Sequence, residues 1–99
     1  MICALTVRTL KPGTFDEFRE AFMAPMAGGE PPEGWVRFTM VRNAADPDEV
    51  VCFGFFDGTV DQLQGGDRAE YEAQQAAIAP FVASVGADGL YEVVESLEA

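Results

Sequence analysis

The side chains able to do chemistry in this chain are few, and the missing ones are as telling as those present. There is no histidine among its 99 residues. That excludes a Ser-His-Asp triad, imidazole acid–base catalysis and a His-ligated haem. Arg8 falls in an apolar, β-branched run, where a guanidinium can hold a substrate oxyanion or a carboxylate. With 17 Asp and Glu in the chain, an ion pair or a solvated strand end explains it as well. Tyr71 and Tyr91 can donate a proton or a hydrogen bond, or simply sit half-buried at an interface. Thr6 and Gln75 can orient a ligand by hydrogen bonds. Trp35 opens an apolar segment after a loop, where it can gate a pocket or cap the edge of a core. Arg37 and Arg42 fall on opposite faces of one strand and can bind, form salt bridges or guard an edge. Cys3 and Cys52 lie in no C-x-x-C motif and read as small buried hydrophobes in a reducing compartment. The acids show no recognisable metal-ligand spacing, so no metal is expected.

The elements that must position these groups follow from pattern and punctuation. Ile2 to Leu10 alternates and stops at Lys11-Pro12-Gly13, a strand ended by a turn. Thr14 with Glu17 three residues on reads as a capping box opening a helix. On that helix Phe15, Phe18, Phe22 and Met26 share one face, as core or as a ligand box, opposite Asp16, Glu17 and Glu20. It should fail near Pro25, with a loop over Gly28 to Gly34. Trp35 to Asn43 and Glu49 to Asp57 form a hairpin about the turn Ala45 to Asp48. Thr59 and Gln62 offer a second capping box for a short helical turn broken at Gly65-Gly66. Asp67-Arg68-Ala69-Glu70 opens a longer helix whose Tyr71, Gln75, Ile78 and Val82 share a face, with Gly86 and Gly89 punctuating its end. Leu90 to Ser96 is expected as the last strand.

One domain over residues 1–99 is what this length accommodates. The formal charge of −11 repels nucleic-acid phosphates and anionic lipid headgroups, so neither nucleic acid nor membrane is expected as a partner. No stretch approaches the length of a membrane span, and Ile2 to Val7 is short and unlike a signal peptide. The expected location is the cytoplasm. The β-α-β-β-α-β order, with right-handed crossovers, is that of a ferredoxin-like α+β sheet with both helices on one face. The first and third strands are apolar on both faces. A homodimer through the open sheet face is the simplest cover, the alternative being a monomer whose second face is wetted.

The chain resembles the antibiotic biosynthesis monooxygenase-like family of dimeric α+β barrels. The resemblance is carried by L-K-P-G-T-F-D-E-F at Leu10 to Phe18, G-W-V-R-F-T-M-V-R at Gly34 to Arg42, and the Asp46-Pro47 turn. The F-G-F-F-D strand and L-Y-E-V-V at Leu90 to Val94 complete it. It implies a protein that binds a small aromatic, quinol or polyketide-like molecule between sheet and helices. Enzymes among such proteins oxygenate it without metal or flavin, so no cofactor is expected. The chemistry needs a base to form the substrate anion and a cation to stabilise it, which molecular oxygen then attacks. In that role the resemblance implies Arg8 for the anion and Tyr71 or a water as proton relay, with Thr6, Phe22, Trp35, Phe56 and Gln75 as binding residues. Haem-degrading relatives place Asn, Trp and a ligating His where this chain has Thr6, Phe56 and approximately Gln75. All three are replaced, and the loss of His and Asn favours, as the alternative, a non-catalytic small-molecule-binding or regulatory homodimer.

Overall fold

The computed structural model describes residues 1–26, 29, 32–65 and 68–98. Its strands and α-helices run β1 Ile2–Leu10, α1 Phe15–Met23, β2 Trp35–Arg42, β3 Glu49–Phe56, α2 Val60–Gln64, α3 Ala69–Ile78 and β4 Val82–Glu92. The sheet has the order β2-β3-β1-β4 with every neighbouring pair antiparallel, which is the ferredoxin-like α+β arrangement. β1 and β3 are central, as their two-sided apolar pattern requires.

Strand alternation divides the sheet into two unlike faces. Leu10, Val50 and Cys52 point towards the helices and close with Phe18, Phe22 and Ile78 into the core. On the other side of the same two strands lie Cys3, Leu5, Val7, Val51, Phe53 and Phe55, each only partly buried. α1 and α3 pack against one another over the first face, tied by Gln74 Nε2 donating to the Phe22 carbonyl at 2.7 Å.

Three local expectations need correction. α1 starts at Phe15, but Thr14 does not cap it. Its hydroxyl donates instead to the Lys11 carbonyl at 2.8 Å and the Phe81 carbonyl at 3.3 Å, fastening the turn before α1 to the chain just after α3. The box at Thr59 does form, with Gln62 N–H donating to Thr59 Oγ1 and Thr59 N–H donating to Gln62 Oε1.

The second correction is at the end of α3, which stops at Ile78 rather than running through Val82. Pro80 lies in the 3-10 turn Ala79–Phe81 that follows, a residue with no N–H to continue the ladder. Third, the last strand spans Val82–Glu92 rather than Leu90 to Ser96. Gly86 is therefore inside a strand, at a bulge where it and Ala87 together oppose Val7, a position that tolerates or favours glycine. α1 ends at Met23 and Pro25 sits in the short 3-10 turn Ala24–Met26, as its sequence predicts. Gly28, Glu30 and Pro31 of the expected loop, with Gly66 and Asp67 before α3, lie outside the described residues.

Candidate functional site

Alternation along β1 sends Arg8, like Ile2 and Leu10, under the helices, where it is 5 % exposed. Its guanidinium lies against the rings of Phe18 and Phe22 from α1, 5.8 and 5.7 Å from their centroids, within cation–π range. From α3, Gln75 offers Oε1 to Arg8 Nη2 at a long 3.5 Å. Arg8 Nη1 is buried without a hydrogen-bond partner among the described residues. None of the described carboxylates pairs with this arginine. The ion pair that would explain it structurally is therefore not made there.

An unsatisfied buried donor costs about 1–3 kcal/mol, and more when charged. A buried cation without a counter-ion is a standing invitation to an anion. Cys52 lies beside it on β3, opposite Thr6. Burial pushes the Cys52 thiol up to about 11, against the opposing pull of the Arg8 guanidinium through its charge and a side-chain hydrogen bond. At neutral pH Cys52 is a neutral thiol, not the missing anion.

The remaining candidate residues fall in three places. Phe22 belongs to the Arg8 cluster, as does Gln75. Thr6 sits one pleat along β1, its hydroxyl donating to Asp88 Oδ1 at 3.3 Å. Trp35 and Phe56 form a second cluster at the far end of the sheet, edge to face at 5.4 Å, with Phe38 stacked on Trp35 at 4.6 Å. Phe56 faces Ile2 across the β1–β3 pair, six residues from Arg8, or about 20 Å at ~3.3 Å per residue. Tyr71 lies one helical turn before Gln75 and is 47 % exposed, with the Arg68 guanidinium over its ring at 5.2 Å. The structure brings Arg8, Phe22 and Gln75 together and leaves the tyrosine hydroxyl outside that contact set.

Between the two clusters runs a groove of about 810 Å³, bounded by the end of α1 and the turn after it on one side and by β2 on the other. Phe22, Met23, Met26, Phe38 and Met40 give it apolar walls, and Asp16, Arg19 and Glu20 stand along α1. Its size is that of a small-molecule site. Phe22 is the shared wall, touching the Arg8 guanidinium and lining the groove. Among the described residues no three His, Cys, Asp or Glu side chains gather as a metal site, and no helix is long and apolar enough to cross a membrane.

One participant escapes sequence reading: Cys52, which reads as a small hydrophobe, is the neighbour of Arg8. Phe18, on a helical face that reads as core or as a ligand box, is both core and a wall of the Arg8 site. The place of Cys52 follows only from register, since it meets Thr6 across strands 46 residues apart in sequence. Asp88 likewise reaches Thr6 only because β4 starts earlier than its sequence suggests.

No family profile matches the chain, and no curated protein matches it. Solved structures do match over nearly the whole chain. A candidate antibiotic biosynthesis monooxygenase from Nitrosomonas europaea superposes with a TM-score of 0.77 at 19% identity, covering 96% of this chain and 100% of its own. One from Deinococcus radiodurans reaches 0.78 at 10% identity, with 100% and 98% covered. SnoaB from Streptomyces nogalater, a cofactor-independent oxygenase, gives 0.76 at 17% identity, with 99% and 97% covered. At such identities the likeness establishes a common fold, the ferredoxin-like α+β architecture of these oxygenase-named proteins.

Proposed function

We propose that this chain is a cofactor-independent, monooxygenase-like protein that binds a small aromatic, quinol or polyketide-like molecule between the sheet and the helices. The observation that carries the reading is the buried Arg8 guanidinium with Nη1 unpartnered, walled by phenylalanines and adjoining an apolar groove. Its fold is also that of SnoaB, which is a cofactor-independent oxygenase.

In this reading the ligand's apolar body lies along Phe22 and Phe38, with Trp35 and Phe56 backing Phe38 at the far end, and its oxygen turns to Arg8. Gln75 and Thr6 orient it. The guanidinium stabilises the anionic form, whose electron-rich carbon reacts with molecular oxygen. Where a CH2 becomes C=O, the substrate supplies the electrons, one oxygen atom enters the product and the other leaves as water. Tyr71, one helical turn from Gln75 and half-exposed, or a water serves as the proton relay. The chain acts as a homodimer through the open face bearing Leu5, Val7, Phe53 and Phe55, within a reducing, cytoplasmic setting that suits its free cysteines.

A specific observation favours a second reading, a binding or regulatory dimer without turnover: no imidazole exists in the chain. Oxygen uptake decides between them. With a panel of quinols and anthrones, Arg8→Ala should lower substrate-dependent uptake by about 100-fold or more, the usual effect of removing an oxyanion donor. Uptake unchanged in Arg8→Ala would overturn the assigned mechanism, and ligand binding with no uptake in the parent chain would establish the second reading.

A further inference from the structure

Resting on the reading that the groove binds an aromatic molecule, we propose that the ligands it prefers are organic acids that arrive already ionised: a planar apolar body bearing one oxygen that loses its proton in solution, bound more tightly than a neutral phenol or quinol of the same shape. Four elements, α1, α3, β3 and β4, lie against Arg8. α1 presents the rings of Phe18 and Phe22. α3 presents the Gln75 amide, which is no base. β3 presents Val50, directly opposite Arg8, and Cys52, and β4 presents Val85 opposite it.

Cys52 is the sole titratable group among these neighbours, and burial holds it as a neutral thiol. None of these neighbours can take a proton from a hydroxyl seated on Nη1, and the Asp16 and Glu20 carboxylates, which stand along the groove on α1, make no ion pair with the guanidinium. The two halves of the arrangement imply one another. A carboxylate placed there as a base would pair with Arg8 and cancel its charge, so leaving it out keeps the cation available and makes the site base-free. Such a site distinguishes ligands by charge. An ionised oxygen gains a charge-assisted bond in apolar surroundings, where it is stronger than in water. A neutral oxygen leaves the cation uncompensated.

Phe22 explains how the ligand reaches a buried atom. Its ring lies against the guanidinium and lines the groove, so in this proposal it is the ring that turns aside for a ligand oxygen to reach Nη1.

The test uses the full chain at neutral pH and two matched pairs, 2-hydroxy-1,4-naphthoquinone against 1,4-naphthoquinone and 2-naphthoate against 2-naphthamide, with affinities from calorimetry. The acid of at least one pair should bind about tenfold or more tighter than its neutral partner, the effect of a hydrogen bond to a charged group. In Arg8→Met that preference should vanish through weakening of the acid, while the melting temperature holds or rises. The parent-chain comparison stands even if the variant fails to fold. Neutral members binding as tightly as the acids would overturn this inference and leave aromatic binding intact. Binding of none of the four would overturn both.

Discussion

Arg8 is the residue on which the proposed chemistry turns, and its setting is one that folding alone would not favour. A guanidinium 5 % exposed, with a long hydrogen bond to Gln75 and the neutral Cys52 thiol as its other polar neighbour, has given up its hydration for little return, which is a cost the fold must offset elsewhere. Its neighbour Cys52 supplies a measurable mark of the same apolar environment. Burial raises that thiol from 9.0 to about 11, so the folded state prefers the neutral form more strongly than the unfolded chain does. This contribution is fully present below pH 9 and is lost as pH rises towards 11. Its size is on the order of 2 kcal/mol. Urea unfolding of the parent and of Cys52→Ala at pH 7.5 and again well above 10 should show the gap between them narrowing at high pH. A constant gap would mean that the thiol ionises freely in the folded chain. The residue types at this site were legible in the sequence. Their company was not, because Arg8, Phe22, Cys52 and Gln75 come from four elements.

At the scale of elements, the hairpin and the sheet centre were readable because their signals are local: alternation, the Asp46-Pro47 turn, and apolar runs on both faces of β1 and β3. The last strand was misplaced because a helical face continues through Ile78 to Val82, while the interruption comes from Pro80 and from pairing of Val82 with Leu10, a long-range event. The same dependence on close approach operates at Gly54, on the helix-facing side of β3. A Cβ there would lie 2.8 Å from the Phe38 ring and 3.0 Å from Trp35, closer than side chains pack. Gly54→Ala should therefore push apart the Trp35–Phe38 stack at the end of the groove and destabilise the chain by about 1–3 kcal/mol. Trp35 is the only tryptophan, so its fluorescence reports the displacement directly. An unshifted emission spectrum with an unchanged denaturation midpoint would show that the aromatic end of the groove has slack.

For the whole molecule, the open question of balance is the face opposite Arg8. Phe53 and Phe55 meet there edge to face at 6.0 Å, flanked by Leu5 and Val7 on β1, with Arg37 over Phe55 at 5.7 Å. Complete burial of each such side chain contributes about 1.5–3 kcal/mol, and a twofold interface counts every one twice. This imbalance is legible in the sequence, since strands apolar on both sides need two covers and the crossover rule supplies helices for one. The identity of the second cover is not, because it depends on a surface outside the chain's own pattern. If that cover is a second copy, the parent chain should sediment at twice its 10.7 kDa mass. Phe53→Glu, which sets two carboxylates against one another across the axis, should sediment as a monomer with unchanged far-ultraviolet circular dichroism. Phe53→Leu should remain dimeric, because it keeps the surface apolar. A parent chain that sediments as a monomer at every concentration tested would sink the dimer, and the open face would then stand as a wetted surface of a monomeric fold.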